Sequence, residues 1–438
     1  MTIHFEGEPV VAERGEPAAV ALIAAGHLAL ARSPKFHRPR GPACLRAACD
    51  GCLARVDDEP NVMTCRVPAA EGMRIEAQNV VGSKDTDLLR LADWFFPEGM
   101  NHHELFAGVP GLQRVLQGFA RRVAGLGTLP GKTVPARTAQ RREVDALVVG
   151  AGPAGMAAAL ALAATGREVE VVDDDLAWGG SARILHGAGD RAWAGSLDAF
   201  AAALVAGRVR IAQRVTAAGL YGDDVLLASD ADTHPRPAGR IEVLRARTVV
   251  LAPGAHDATL AFEGNDVPGI LSARAGCRLL AQGVTPGARV VIARVDGGGP
   301  FGRAYAAADP AAVVATGVPL RVSGSARVKA VTIATAGVPL RARGSARLEA
   351  AIATAEGEAR IPCDALLIDA PGAPAYELCA QAGAELSHEA RGYVVRAGAG
   401  GRLREGFFAV GEAVGTPLEP GALAREALAM ADAARPSR

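Results

Sequence analysis

Residues 144–173, V-D-A-L-V-V-G-A-G-P-A-G-M-A-A-A-L-A-L-A-A-T-G-R-E-V-E-V-V-D, admit few folds. The apolar run 146–149 has the character of a buried parallel strand and stops at Gly150. Gly152 and Gly155 then complete G-x-G-x-x-G, with Pro153 and Ala154 opening a helical run. The first glycine permits a tight turn, the second lets a pyrophosphate approach the backbone, and the third lets the helix lie close on the strand. The helix N-terminus then faces the phosphates. A second strand, 168–172, ends at Asp173 and Asp174, with Asp173 eighteen residues after Gly155. An acid there is placed to accept hydrogen bonds from an adenosine ribose. Strand, glycines, helix, strand and acid together read as an adenine-dinucleotide site.

At 438 residues the chain suits two to four domains. Its 47 basic and 47 acidic residues balance, which gives no electrostatic reason to expect nucleic acid or an anionic membrane as partner. The N-terminus M-T-I-H-F-E-G-E lacks the basic start and apolar core of a secretory signal, so a cytoplasmic location is expected. Residues 146–166 form a 21-residue run without a charge, long enough to suggest a membrane span. Gly150, Gly152, Pro153 and Gly155 sit where the nucleotide turn needs them, and no transmembrane segment is expected.

Four of the seven cysteines cluster as C-L-R-A-A-C-D-G-C plus a fourth in N-V-M-T-C: Cys44, Cys49, Cys52 and Cys65, spaced C-x4-C-x2-C-x12-C. This is the plant-type ferredoxin spacing, in which thiolates hold the two irons of a [2Fe-2S] cluster. Zinc is the competitor, but zinc sites usually carry two paired knuckles and only Cys49 and Cys52 make such a pair. Leu45, Arg46, Ala47 and Ala48 fill a loop where glycines usually bring N–H groups to the sulfurs. Cys277, Cys363 and Cys379 lie in apolar surroundings and read as buried free thiols.

In order, residues 1–82 read as a small β-rich domain containing the cysteines, and 83–140 as a helical connector and linker. Residues 141–285 with 365–438 read as the dinucleotide domain, and 286–364 as a shortened second lobe. Within the dinucleotide domain, W-G-G-S brings Gly180 and Ser181 towards the cofactor, L-A-P-G-A-H adds Ala252 and Gly254, and F-A-V-G-E adds Gly411 and Glu412. The second lobe has its own G-x-G-x-x-G at Gly297, Gly299 and Gly302. Room for only a short helix, and a following strand ending in Thr316, argue against a complete βαβ nucleotide site there. The segment 317–330 recurs as 337–350, two copies that read as paired β-ribbons.

Five stretches carry a family resemblance: R-S-P-K-F-H-R-P-R-G (32–41), G-A-G-P-A-G (150–155), L-A-P-G-A-H (251–256), F-E-G-N-D-V-P-G-I (262–270) and F-A-V-G-E (408–412). The chain resembles the N-terminal half of the α-subunit of sarcosine oxidase and the flavin and iron–sulfur subunits of hydrogen cyanide synthase, opine oxidases and hydroxyproline or proline dehydrogenases. Pro253 and Glu412 depart from the usual threonine and aspartate. The resemblance implies an α/β, Rossmann-like flavoprotein with two dinucleotide-binding domains, the second shortened, preceded by a β-grasp ferredoxin-like domain. It implies an oxidoreductase in a hetero-oligomer whose flavin-containing catalytic partner subunit oxidises a small amine or amino acid. The expected cofactors are the [2Fe-2S] cluster on Cys44, Cys49, Cys52 and Cys65 and FAD, with tightly bound NAD or another adenine nucleotide as alternatives. Asp173 favours a free ribose hydroxyl over a 2′-phosphate. Electron-transfer subunit, stand-alone NADH-dependent reductase and non-redox scaffold are the readings carried forward, and sequence alone identifies no catalytic side chain.

Overall fold

The computed structural model describes residues 1–33, 36–78, 80, 86–91, 138–229, 239–257, 260, 262, 264–294, 298–308, 313–316, 340–343, 350–353 and 359–435. The connector helices expected between 91 and 138 and the first copy of the duplication lie outside these residues.

The first unit is a five-stranded sheet. Strands β1 (Thr2–Phe5) and β2 (Glu8–Val11) form a hairpin, and β3 (Leu53–Val56) and β4 (Glu59–Met63) form another. Strand β5 (Arg74–Glu76) inserts between them, parallel to β1, in the order β2-β1-β5-β3-β4. Alternation sets the faces: Ile3, Phe5, Val56 and Ile75 point inward and are at most 1% exposed. Each contributes roughly 1.5–3 kcal/mol by leaving water. Helix α1 (Ala18–Ala24), apolar throughout, covers this face and packs on the turn Thr64–Arg66 that carries Cys65.

The second unit is built on β6 (Gln140–Val149), α2 (Pro153–Ala164) and β7 (Val169–Asp173). Strand β6 starts six residues before the apolar run because its first half, Q-R-R-E-V-D, is only partly buried and pairs along an edge of the sheet. Strand β8 (Val209–Gln213) lies beside β7, and β11 (Ile241–Leu251) lies on the other side of β6. β9 (Val215–Tyr221) and β10 (Asp224–Ser229) continue antiparallel from β11, while Phe407–Ala409 adds in parallel at its far end. The C-terminal helix Pro420–Ala433 packs across α2, which explains why α2 needs no polar face.

A four-stranded parallel sheet forms the second lobe, in the order Ile270–Ser272, Ala365–Asp369, Val290–Arg294, Val313–Thr316. One expectation is corrected here. Ile270–Ser272 and Ala365–Asp369 belong to this sheet and not to the dinucleotide domain, so the lobe extends beyond 286–364 at both ends. Apolar periodicity reports burial and says nothing of which sheet buries a strand. The βαβ unit is also complete, because the nine-residue helix Pro300–Ala308 suffices to return the chain to a parallel strand. The second copy of the duplication contributes Leu340–Arg343 and the start of Ala350–Ala353, antiparallel neighbours that pair on with Ala359–Pro362.

The cysteine-bearing unit is joined to the second lobe by a tight contact. Arg40 pairs with Asp266 at 2.5 Å, and the Ser272 N–H donates to the Ala43 carbonyl at 2.8 Å. A Cβ on Gly41 would come within 3.0 Å of the Pro268 Cα. The segments 32–41 and 262–270 are therefore two sides of one joint. Among the described residues no helix is long and apolar enough to cross a membrane.

Glycine spacing in the first loop has unequal structural consequences. A Cβ at Gly155 would collide with the Gly150 carbonyl, whereas a Cβ at Gly152 meets nothing within 4 Å. Chemical denaturation should find Gly155→Ala destabilised by about 3 kcal/mol and Gly152→Ala within about 0.5 kcal/mol of the parent. Equal losses would contradict this packing.

Candidate functional site

The cysteines meet in a loop held by its own backbone. The N–H of Ala43 donates to the Cys49 sulfur at 3.4 Å, those of Arg46 and Ala48 to Cys44 at 3.4 and 3.3 Å, and that of Ala47 to Cys65 at 3.2 Å. Leu45 and Ala47 adopt positive φ, 52° and 60°. Non-glycine residues thus perform the turn that glycine usually performs, at a cost of about 1–2 kcal/mol each. The thiols form two pairs, Cys44 with Cys49 at 3.4 Å and Cys52 with Cys65. Among the described residues no three His, Cys, Asp or Glu side chains converge as a single metal ion requires. The Cys44 thiol, donating to Cys49, lowers the latter to about 6 against the opposing effect of burial. A thiolate is the form that binds metal.

A cavity of about 250 Å³ opens at the carboxyl ends of β6, β7 and β11. The chain order reverses there, with β7 on one side of β6 and β11 on the other, the place where doubly wound sheets take ligands. Gly150, Gly152, Pro153 and Ala154 line one wall; Asp173, Asp174, Gly180 and Ser181 a second; Ala252, Gly254 and Glu412 a third. Gly155 and Gly411 stand behind the wall. Gly411, at φ 81°, packs so closely on Ala154 that a Cβ would lie 2.6 Å from it, and its N–H donates to Glu426 at 2.8 Å.

The three successive aspartates face different partners. Asp173 accepts the N–H groups of Ala151 and Asp175, and burial raises its pKa despite them. Asp174 pairs with Arg66, next to Cys65, at 3.2 Å, and Asp175 pairs with Arg278 at 2.9 Å. Glu412 accepts from Arg274 at 3.0 Å, and Arg274 also donates to the Ala255 carbonyl at 2.8 Å. It stacks on Phe301 at 4.6 Å and lies 3.5 Å from Asp257. Arg46, from the cysteine loop itself, donates to the same Ala255 carbonyl at 3.0 Å and lines the cavity. Sequence reasoning missed Arg46, Arg66, Arg274 and Arg278. The signals available were an arginine inside a cysteine loop and the i,i+4 spacing of Arg274 and Arg278 on helix Ala273–Leu280.

In the second lobe the glycine turn is filled from within. The Asp369 carboxylate accepts the N–H groups of Gly299 at 3.0 Å and Gly302 at 3.2 Å, and pairs with Arg294 at 3.2 Å. A Cβ on Gly298 or Gly302 would collide with it. An internal anion occupies the position that a pyrophosphate takes in such a turn. Burial raises the Asp369 pKa above its ordinary 3.8, with the two N–H groups and Arg294 opposing. A raised carboxylate pKa contributes stability that is fully present below the ordinary value and is lost as pH rises through the folded one. Thermal unfolding from pH 4 to 8 should therefore show a loss of stability on the alkaline side in the parent that Asp369→Asn lacks. Parallel profiles would refute it.

Comparison with known proteins adds the following. Residues 1–80 match the model of a 2Fe-2S iron-sulfur cluster binding domain, and residues 144–434 match that of the pyridine nucleotide-disulphide oxidoreductases. The chain is 33% identical to the sarcosine oxidase alpha chain of Rhizobium meliloti over 313 residues, 66% of this chain and 31% of that protein. It is 35% identical over 79 residues to a hydrogen cyanide synthase subunit of Pseudomonas aeruginosa, 18% of this chain and 75% of the relative. The chain thus spans about a third of the sarcosine oxidase subunits it matches, 31% and 28% of their lengths. An L-proline dehydrogenase from P. horikoshii shares the fold, with a TM-score of 0.69 at 21% identity, covering 98% of this chain and 72% of that one. The cofactors that follow are a [2Fe-2S] cluster and FAD. Four clustered sulfurs, with four backbone N–H groups directed at Cys44, Cys49 and Cys65, and a glycine open to the cavity at position 152 fit those two groups. The chain is an oxidoreductase similar to the sarcosine oxidase α-subunits, and it belongs to the pyridine nucleotide-disulphide oxidoreductase family with a 2Fe-2S domain at its N-terminal end.

Proposed function

We propose that this chain is the electron-transfer subunit of a heteromeric amine, imino-acid or amino-acid dehydrogenase or oxidase. Substrate would be oxidised at a flavin, mainly on a partner subunit, and electrons would pass through the cluster held here to an external acceptor. In this reading Cys44, Cys49, Cys52 and Cys65 ligate the cluster, and Gly150, Gly152, Pro153, Ala154, Asp173, Asp174, Gly180, Ser181, Ala252, Gly254 and Glu412 surround the dinucleotide, with Gly155 and Gly411 shaping the wall. The cofactors supply the redox chemistry. The protein's own groups hold them: backbone N–H groups carry the sulfurs' negative charge, and Asp173 orients the glycine loop.

The observation that carries the reading is the common wall between the two sites. Arg46 belongs to the cysteine loop and lines the nucleotide cavity. His256 borders both that cavity and a second one of about 230 Å³ beside Cys44 and Cys49, which offers an acceptor access to the cluster. The relatives from sarcosine oxidase and opine oxidase are named as subunits of those oxidases, which supports a partner-dependent role. Asp369 weighs against the stand-alone NADH-dependent reductase, because its carboxylate stands where a second dinucleotide would place its phosphates.

The isolated chain, purified anaerobically, should hold iron and sulfide at about two each per chain. Serine at any of Cys44, Cys49, Cys52 or Cys65 should remove the reduced-state EPR signal, while alanine at Cys277 or Cys379 should preserve it. NADH alone should leave the cluster oxidised. Zinc in place of iron would sink the electron-transfer reading, and rapid reduction by NADH would replace it with the reductase.

A further inference from the structure

The Arg46 guanidinium is conspicuous for what it lacks. Its side-chain hydrogen bond goes to the Ala255 carbonyl at 3.0 Å, and among the described residues it makes no ion pair. Its neighbours are themselves cationic: Arg274 donates to the same carbonyl at 2.8 Å, and Arg278 stands close enough to act on it electrostatically. Two carboxylates, Asp257 and Asp174, also act on it electrostatically. Both are already engaged, Asp257 with Ser272 at 2.8 Å and Asp174 with Arg66 at 3.2 Å. A guanidinium has five N–H donors in a planar fork suited to phosphate. One directed at a carbonyl leaves the others for a cavity that Arg46 and the glycine turn both line.

We propose that the iron–sulfur domain itself supplies a ligand to the dinucleotide: Arg46 binds a phosphate of the nucleotide held at the glycine loop. The inference rests on the reading of the cavity as the dinucleotide site. It makes residue 46 a member of both sites at once, since its N–H donates to the Cys44 sulfur at 3.4 Å while its side chain completes the nucleotide wall. The nucleotide would then fasten the cluster loop to the flavoprotein unit through the one residue that the two sites share.

The test uses the full chain stripped of nucleotide and titrated with FAD and, separately, with ADP, which carries the phosphates without the flavin. Arg46→Gln should weaken both about tenfold to a hundredfold, as loss of a charge-assisted phosphate contact does. Arg46→Lys should recover part of each loss, because it restores charge without the fork. Iron content and the EPR signal should equal the parent's in both variants, since the cluster loop uses the backbone N–H of residue 46. Unchanged ADP affinity in Arg46→Gln, or loss of FAD affinity alone, would overturn the phosphate assignment. If Arg46→Gln failed to retain its cluster, the same titrations on Arg46→Lys decide, parent-like ADP binding with a lysine overturning the fork geometry and a partial loss supporting it. A parent chain that holds iron but no nucleotide would defeat the dinucleotide reading itself, a result distinct from either.

Discussion

One carbonyl oxygen, that of Ala255, gathers three parts of the molecule. It accepts Arg46 from the cysteine loop and Arg274 from the first helix of the second lobe, while Ala255 itself follows the central strand of the dinucleotide sheet. Bringing guanidinium groups this deep costs several kcal/mol in lost hydration. For Arg274 the cost is offset by Glu412, by Asp257 and by the Phe301 ring, each from a different segment. The polar seam is therefore a structural joint as well as a cofactor wall. Removing Arg274 would take the guanidinium away from both Glu412 and Asp257.

The architecture of the dinucleotide unit was legible because its cues are local. Gly150, Gly152 and Gly155 are a turn, an opening and a close approach, and each requirement is written in three consecutive glycine positions. Sheet membership was not legible. Ile270–Ser272 and Ala365–Asp369 are short apolar strands that would serve in either sheet, and only long-range pairing assigns them. The second βαβ shows the opposite case, in which topology exceeded expectation and the ligand turn fell short. Asp369 lies about seventy positions from Gly299 in the chain, and no local pattern foretells that its carboxylate caps that turn.

At the cluster, spacing named the four cysteines, and the absence of glycine between Cys44 and Cys49 looked like a defect. Leu45 and Ala47 take the left-handed conformation regardless, because four N–H···S contacts and the packing of α1 behind Cys65 over-determine the loop. Composition reports preference, and preference of one or two kcal/mol yields to a surrounding fold. The arginines of the wall carried only faint signals, Arg46 inside the cysteine loop and Arg274 with Arg278 four apart, and neither names a partner. A lone arginine in sequence has no address until tertiary structure reveals what faces it.

The contact of segment 32–41 with segment 262–270 has a consequence for electron flow. Arg40 with Asp266, Gly41 against Pro268 and Ala43 with Ser272 weld the small domain onto the larger body by main chain as much as by side chain. A carrier domain that swings between donor and acceptor needs an open interface, and among the described residues this contact is closed. In the electron-transfer role proposed above, the separation between the two cofactor sites is then set once, when the chain folds, and the internal step works as a fixed wire.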